Sequence, residues 1–484
     1  MACGILNMAF RISCIGLGAL LLVAPLARGD TLLEVYQLAR QNDPQLREAE
    51  ANRMATREGK PQALGAMLPQ ISATGDFGQA QANGDRSGVS FGSIFGTTIS
   101  NTRTDQTNWG LQLRQTVFRW DQWVRYRQAD KQSLQADMDY RVAELALYTR
   151  VADAYFNVLA AEDTLAANVA AREAIGRQLE QAQKRFEVGL IAITDVQEAQ
   201  AGYDQAVASE IVAKRDLANS KEALREIVGD YPGELAKPKD DLPLIPPDPS
   251  DENQWVEVAL QQNLSLQSAQ LGAEIARDNI SIARSGHLPT VDLVMSRSDT
   301  SQDGKTNGSF TSNNSTSLSI GPTEFDQTSD LISLQATLPI FSGGATSSKV
   351  QQAVYLHRAS KERLERTARE TERSTRDAYQ AVITDISGVK ALQQALKSAQ
   401  TALQATEAGF EVGTRTTVDV LDARRLLYQA ETNYARSRYN YIVDVLKLKE
   451  AAGTLGDADV QQANSWLLTT PAQATPPAAP AQPE

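Results

Sequence analysis

The sequence predicts an internally duplicated α+β membrane protein. In this fold, four β-strands per chain contribute to a trimeric 12-stranded β-barrel, and long coiled-coil α-helices form an α-barrel next to it. Three features of the 484 residues lead to this prediction: segments that recur about 220 residues apart, paired stretches that alternate apolar with polar side chains, and two proline-free runs of about 66 residues. A fixed repeat indicates duplication, alternation at period two indicates half-buried strands, and the long runs indicate helical rods.

The recurring segments keep their order and spacing along the whole half-chain. We therefore assign a first structural repeat to residues 30–229 and a second to residues 253–455. The clearest matches are Leu68-Pro69 with Leu288-Pro289 and Phe186-Glu187-Val188-Gly189 with Phe410-Glu411-Val412-Gly413. Agreement in order and spacing predicts two equivalent halves, since chance would rarely produce it.

Each repeat is predicted to begin with one helical stretch. The two stretches, 33–66 and 253–286, are rich in Ala, Glu, Gln and Arg, which are good helix formers. Each is expected to end at its Leu-Pro pair, because the residue before a proline is restricted to extended geometry.

A β-hairpin is predicted next, at 68–118 in the first repeat and at 288–341 in the second. Apolar and polar residues alternate at both ends of each hairpin, which is typical of half-buried strands. The central stretches, roughly 83–104 and 300–325, are rich in Gly, Ser, Asn and Thr. We predict that they form long exposed loops between the strands.

A long helix and a shorter return helix complete each repeat. The long helices are predicted at 121–188 and 345–411, and the return helices at 195–229 and 419–453. Apolar residues of the first long helix follow two neighbouring seams, so that each helix can pack on two neighbours. This pattern suits a closed ring of helices; the alternative is a helix buried in an ordinary bundle.

The turns between long and return helices contain one glycine each. Gly189 and Gly413 are suited to the left-handed residue that ends a helix. At the start of the first return helix, Thr194 and Gln197 have the spacing of a capping box. The sequence thus predicts two matched helical hairpins with tight tips.

Three segments lie outside the repeats. Residues 1–29 combine Arg11, an apolar run and small residues at a cleavage site, which is typical of a secretory signal peptide. A lipoprotein signal ending at Cys14 is the weaker alternative. Residues 230–252 form a Pro-rich linker, and residues 456–484 form a C-terminal segment whose Pro/Ala-rich tail is predicted to be disordered.

The composition excludes several classes of function. The net charge is −12 and no cluster of Lys or Arg occurs, so we expect no nucleic-acid partner. Both cysteines lie within residues 1–29, and only His287 and His357 occur in the whole chain. Thiolate chemistry, a zinc site and a histidine-based triad therefore lack their residues. We expect no enzyme activity, no metal and no cofactor.

The strands indicate how the chain meets a membrane. No segment after residue 29 has 18 consecutive apolar residues, so no transmembrane helix is expected. Four strands cannot close a barrel, and lipid does not tolerate open sheet edges, so several chains are expected to share one barrel; three chains would supply 12 strands. An interfacial aromatic belt is indicated by Trp109, Phe118, Trp120 and Trp123. The alternative is a soluble periplasmic coiled-coil scaffold or adaptor without a barrel.

The helical turns resemble those of a known family. Residues 186–197 (FEVGLIAITDVQ) and 410–423 (FEVGTRTTVDVLDA) resemble the paired tip motifs of the TolC family of outer-membrane exit ducts. The resemblance covers essentially the whole chain after residue 29, apart from the tail. It implies a homotrimer in the outer membrane of a Gram-negative bacterium. The barrel would lie in the lipid, and the tips of a periplasmic α-barrel would close the entrance.

The resemblance also implies a function and partners. A periplasmic adaptor (membrane fusion) protein and an inner-membrane RND, ABC or MFS transporter would engage the tips and open them. The duct would then export small toxic compounds as part of tripartite efflux pumps, or unfolded proteins in type I secretion. It would contain no energy source of its own.

Carried over position by position, the resemblance implies a gate lock formed by Thr194, Asp195, Phe410 and Arg415. Arg415 is well suited to bridge a carboxylate such as that of Asp195. The family often has a tyrosine where this chain has Phe410, so the lock is expected to rest more on Arg415. The alternative is that Asp195 only caps a helix and that Arg415 is only solvated.

Two further sets of residues follow from the same resemblance. Asp419 and Asp422 are three residues apart and so share one helix face; in a trimer they would form acidic rings at the constriction, which attract cations. The alternative for this pair is a favourable interaction with the helix dipole. The tips expected to contact an adaptor are Val188, Gly189, Leu190, Val412, Gly413 and Thr414.

Overall fold

The computed structural model describes residues 30–91, 94–231, 233–239, 241–312 and 323–468. The predicted signal peptide and the Pro/Ala-rich tail lie outside the described residues. Within the described part, short helices, two strands, a long helix and a return helix follow one another, and the same order then occurs a second time before a short final helix.

Three short helices precede the first strand: α1 (Leu32–Asn42), α2 (Pro44–Arg57) and α3 (Gly59–Gly65). The single helix predicted at 33–66 is therefore wrong. The first break occurs at Asp43, whose carboxylate accepts a hydrogen bond from the Leu46 N–H at 2.9 Å. Asp43 thereby caps α2, and Pro44 follows as its first residue, where proline is favoured.

The second stretch is divided in the same way, into α6 (Glu252–Gln262) and α7 (Leu264–Ser285). The Asn263 side chain accepts a hydrogen bond from the Leu266 N–H at 3.1 Å. Its Nδ2 donates to the Ala451 carbonyl oxygen at 3.0 Å. The helix break at Asn263 therefore also connects this region to a distant part of the chain.

The sheet has four antiparallel strands in chain order: β1 (Gln70–Phe91), β2 (Ile94–Phe118), β3 (Thr290–Ser312) and β4 (Thr323–Thr337). Strands β1 and β2 pair from Gln70 with Arg114 to Phe91 with Ile94. The loop predicted at 83–104 is therefore wrong, and β3 and β4 likewise extend into the loop predicted at 300–325. Strand pairing uses backbone groups, so polar side chains do not prevent it.

One apolar row crosses the whole sheet. The register aligns Ile71 with Leu113, Leu113 with Met295, and Met295 with Ile332. Residues directly opposite one another in paired strands lie on the same face. At the two sheet edges, Ile71 is 68% exposed and Ile332 is 73% exposed. The chain alone therefore leaves this apolar row uncovered.

Four long helices form most of the remaining chain: α4 (Trp120–Glu187), α5 (Ile193–Val228), α8 (Ala345–Glu411) and α9 (Thr417–Ala452). Helices α4 and α8 contain 68 and 67 residues, which gives rods of about 100 Å. Helix α5 packs back on α4, and α9 packs back on α8; α4 also packs on α7 and α9. The final helix is α10 (Asp457–Ser465).

The main apolar core lies where α1, α4, α5, α9 and α10 meet. Its largest fully buried side chains include Tyr155, Tyr441, Leu147, Leu159, Ile442 and Leu446. The Tyr155 hydroxyl donates to the Ala236 carbonyl at 2.7 Å, and the Tyr441 hydroxyl donates to the Ile245 carbonyl at 3.0 Å. Buried hydroxyls need such partners, and these two attach the Pro-rich linker to the long helices.

An acidic cluster connects α4, α8 and α9. Burial and the neighbouring carboxylate of Asp444 raise the pKa of Asp385 on α8 to about 7. The positive charge of Lys447 lowers the pKa of Asp385, but by less. The Lys447 Nζ lies 3.1 Å from Asp153 Oδ1 and 3.6 Å from Asp444 Oδ1. Asp385 Oδ2 is buried and has no hydrogen-bond partner.

The raised pKa of Asp385 predicts that stability falls as pH rises. The ordinary pKa of an aspartate is 3.8, and the native Asp385 carboxyl keeps its proton to a higher pH than the unfolded one does. Its contribution to the free energy of unfolding is therefore complete below about pH 4 and is lost as the pH rises through about 7. We expect Asp385→Asn to raise the melting temperature by a few degrees at about pH 8, with a smaller gain at about pH 5. Thermal melting of both proteins across this range tests it, and a gain independent of pH would contradict it.

Candidate functional site at the helical tips

The two helical hairpins end in turns of the same construction. Beyond α4, Gly189 has φ +75° and the Leu190 N–H donates to the Arg185 carbonyl at 2.9 Å. Beyond α8, Gly413 has φ +78° and the Thr414 N–H donates to the Gly409 carbonyl at 2.8 Å. A left-handed glycine with a hydrogen bond back across the last helical turn is a standard helix C-cap.

The tips expose apolar side chains. Val188 is 69% exposed, Leu190 is 73% exposed and Val412 is 76% exposed. A Cβ atom at Gly189 or Gly413 would have no neighbour within 4 Å. The positive φ angle alone therefore accounts for a glycine at each of these positions, since a side chain there would meet no neighbour. The surrounding surface of the tips is uncovered in the single chain.

The two return helices begin differently. In the second, the Asp419 N–H donates to Thr416 Oγ1 at 3.2 Å and the Thr416 N–H donates to Asp419 Oδ2 at 2.8 Å, which forms a capping box. The Thr416 N–H and the Thr416 hydroxyl both donate to the Asp419 carboxylate, and these two hydrogen bonds lower the pKa of Asp419. In the first, Ala192 is the capping residue and no side chain caps the helix. The capping box predicted from Thr194 is therefore wrong, because Thr194 already lies inside α5.

The predicted lock residues lie at both tips, but a single chain does not join Arg415 to Asp195. No ion pair of Arg415 occurs within the described residues. Its Cγ packs instead against Gly409, where a Cβ would come within 2.8 Å of it. The predicted link between Arg415 and Asp195 thus stays a prediction about the assembled protein.

Phe410 has a partner that the sequence analysis missed. The guanidinium carbon of Arg185 lies 5.1 Å from the centre of the Phe410 ring, within the range of a cation–π contact. The only signal in the sequence was an arginine directly before the first tip motif, and one sequence gives no register between the two hairpins. Arg185 is therefore added to the candidate site.

The predicted acidic pair is only partly free. Asp419 holds the capping box described above, whereas Asp422 Oδ1 lies 3.2 Å from Arg425 Nη2. Both partners of this second pair are largely exposed, so their attraction is weak. Asp422 therefore has the more available charge of the two.

The described part of the chain contains neither a group of three or more His, Cys, Asp or Glu residues that could hold a metal ion nor a helix with the length and apolar character needed to cross a bilayer.

The fold is that of outer-membrane channels. The solved structure of the Campylobacter jejuni CmeC outer membrane channel matches with a TM-score of 0.68 at 17% identity, over 96% of this chain and 98% of that one. At this identity the likeness concerns the fold only.

The sequence matches the family model described as outer membrane efflux protein over residues 35–230 and 255–454. The chain therefore belongs to the outer membrane efflux protein family, and the resemblance to the TolC family and the outer-membrane location are confirmed.

Named relatives cover nearly the whole chain. Outer membrane protein TolC of Vibrio cholerae is 39% identical over 90% of this chain and 94% of its own length. Outer membrane protein TolC of Escherichia coli is 37% identical over 91% and 86%. Alkaline protease secretion protein AprF of Pseudomonas aeruginosa is 28% identical over 91% and 89%.

Proposed function

We propose that three copies of this chain form an exit duct across the outer membrane, used by efflux pumps, by type I secretion, or by both. The observation that carries the proposal is the sheet. Strands β1 and β4 are its two edges in the described chain, and the two ends of the apolar row, Ile71 and Ile332, are exposed on these edges. Lipid excludes open edges, and pairing β4 of one copy with β1 of the next removes them all.

A closed ring of three sheets also explains the apolar row. Repeated three times, the row becomes a continuous band around the outside of a 12-stranded barrel, as lipid contact requires. The two halves of each chain, which we infer to be a duplication, would each contribute one hairpin. Helices α4 and α8 continue from β2 and β4 and would form the wall of a periplasmic tunnel.

The tips are the proposed contact for partners. A periplasmic adaptor protein would bind the exposed apolar residues around Gly189 and Gly413, and an inner-membrane transporter of the RND, ABC or MFS class would supply the energy. The name of AprF favours protein secretion as one use, and the name of the family favours efflux as the other. The duct itself would perform no catalysis.

Light scattering of the detergent-purified protein tests the assembly. We expect three chains per particle and channels after addition to a planar bilayer. A protein that remains monomeric and extracts from cells without detergent would contradict the duct and would favour the soluble periplasmic scaffold.

The acidic pair leads to a prediction about ion selectivity. We expect the Asp419→Asn, Asp422→Asn double variant to lower the cation-over-anion permeability ratio several-fold, because two carboxylate rings at the constriction would be neutralised. Asparagine at position 419 keeps an oxygen that can accept the Thr416 N–H in the capping box. Asp204→Asn on α5 is the control for loss of charge elsewhere. An equal change in the control and the double variant, measured by reversal potential, would contradict the rings.

A further inference from the structure

Two side chains join the helical tips within one chain. Arg185 lies in the last turn of α4 and Phe410 lies in the last turn of α8. The guanidinium carbon is 5.1 Å from the ring centre, and both residues are half-buried. The backbone on each side is fixed by the C-cap of its own helix, so the pair connects two rigid ends.

Within the part of the chain that the structure describes, the Arg185 guanidinium has no carboxylate partner that competes with the Phe410 ring. Among the described residues it forms no ion pair, whereas the adjacent Lys184 pairs with Glu180 at 2.6 Å on the same helix. Arg424 pairs with Glu407 at 2.6 Å, within the second hairpin. Of these three cations, only Arg185 reaches from one hairpin to the other.

We propose that Arg185 is a positioning residue that holds the two tips together through the face of the Phe410 ring and so restrains opening of the duct. The inference rests on the proposed function. Phenylalanine has no hydroxyl with which to form a polar link, but its ring face attracts a cation. The contact therefore gives Phe410 a role in closure that does not require a hydrogen bond.

Single-channel conductance in planar bilayers tests this role. We expect Arg185→Ala to raise the conductance of the resting channel at least two-fold with the trimer intact. Lys184→Ala, which removes the same charge one residue away, should leave conductance at the wild-type level. Phe410→Leu should raise the conductance as much as Arg185→Ala does. The double variant should raise it little further, because both substitutions remove the same contact.

Conservative variants separate the ring contact from general packing. Phe410→Trp should retain wild-type conductance, because indole binds cations at least as well as benzene does. Arg185→Gln keeps much of the side-chain length and should open the channel as alanine does; it also replaces Arg185→Ala if that variant fails to form trimers.

Two results would overturn the inference. One is wild-type conductance in both Arg185 variants, and the other is full additivity with Phe410→Leu. Neither result would contradict the proposed duct, provided that the wild-type protein forms trimeric channels. A wild-type protein that forms no channels would instead contradict the proposed function itself.

Discussion

Replacing Gly453 with alanine is expected to destabilise the protein by about 3 kcal/mol or more. Gly453 ends α9 with φ +73°, and a Cβ there would lie 2.6 Å from the Gln262 carbonyl oxygen and 3.0 Å from the Asn263 Cα. Both neighbours are backbone atoms at the junction of α6 and α7, so no side chain can move aside. Either the end of α9 or the α6–α7 junction must shift, which also strains the Asn263 hydrogen bond to Ala451.

Gly413→Ala is the matched control. Its φ of +78° is nearly the same, but a Cβ at this position meets nothing within 4 Å. Only the cost of the left-handed conformation remains, about 1–2 kcal/mol. We expect a large fall in melting temperature and in the yield of trimer for Gly453→Ala, and a small fall for Gly413→Ala. Equal falls would contradict the close packing at Gly453.

The order of elements could be predicted because each one depends on local sequence. The absence of proline predicted α4 and α8, and the glycines at 189 and 413 predicted their ends, since both signals act through the backbone of the residue itself. The lengths of the strands could not be predicted in this way. The Gly, Ser, Asn and Thr residues of 83–104 have weak strand preferences, and pairing with the neighbouring strand determines their structure.

The candidate site was predictable only in part for a related reason. The tip motifs indicated where the gate residues lie along each helix, and the two tips do lie at the ends of adjacent hairpins. The sequence could not indicate that the Arg185 guanidinium lies over the Phe410 ring, because that contact depends on the axial register of one helical hairpin against the other. The same limit applies to the break at Asp43, where a cap and a following proline outweighed a stretch of good helix formers.

Loss of the Arg415 side chain is expected to raise the conductance of the resting channel without loss of the trimer. Within one chain Arg415 forms no ion pair in the described region, so the proposed link to Asp195 has to form when three chains close together. Three such exposed links contribute about 1 kcal/mol or less each. Closure would then be favoured by only a few kcal/mol, which adaptor binding can overcome.

Conductance of purified trimers at fixed salt measures this effect. We expect an increase of several-fold in Arg415→Ala and in Asp195→Ala, with little further increase in the double variant, because both changes break one link. Phe410→Tyr should keep the channel closed at least as firmly, since it adds a hydroxyl and retains the ring. The control is Arg373→Ala, because Arg373 pairs with Asp377 at 2.8 Å on its own helix, α8, outside the tips, and should not connect neighbouring hairpins. Wild-type conductance in both single variants would mean that closure depends on other contacts at the tips, of which the Arg185–Phe410 pair is already formed within each chain.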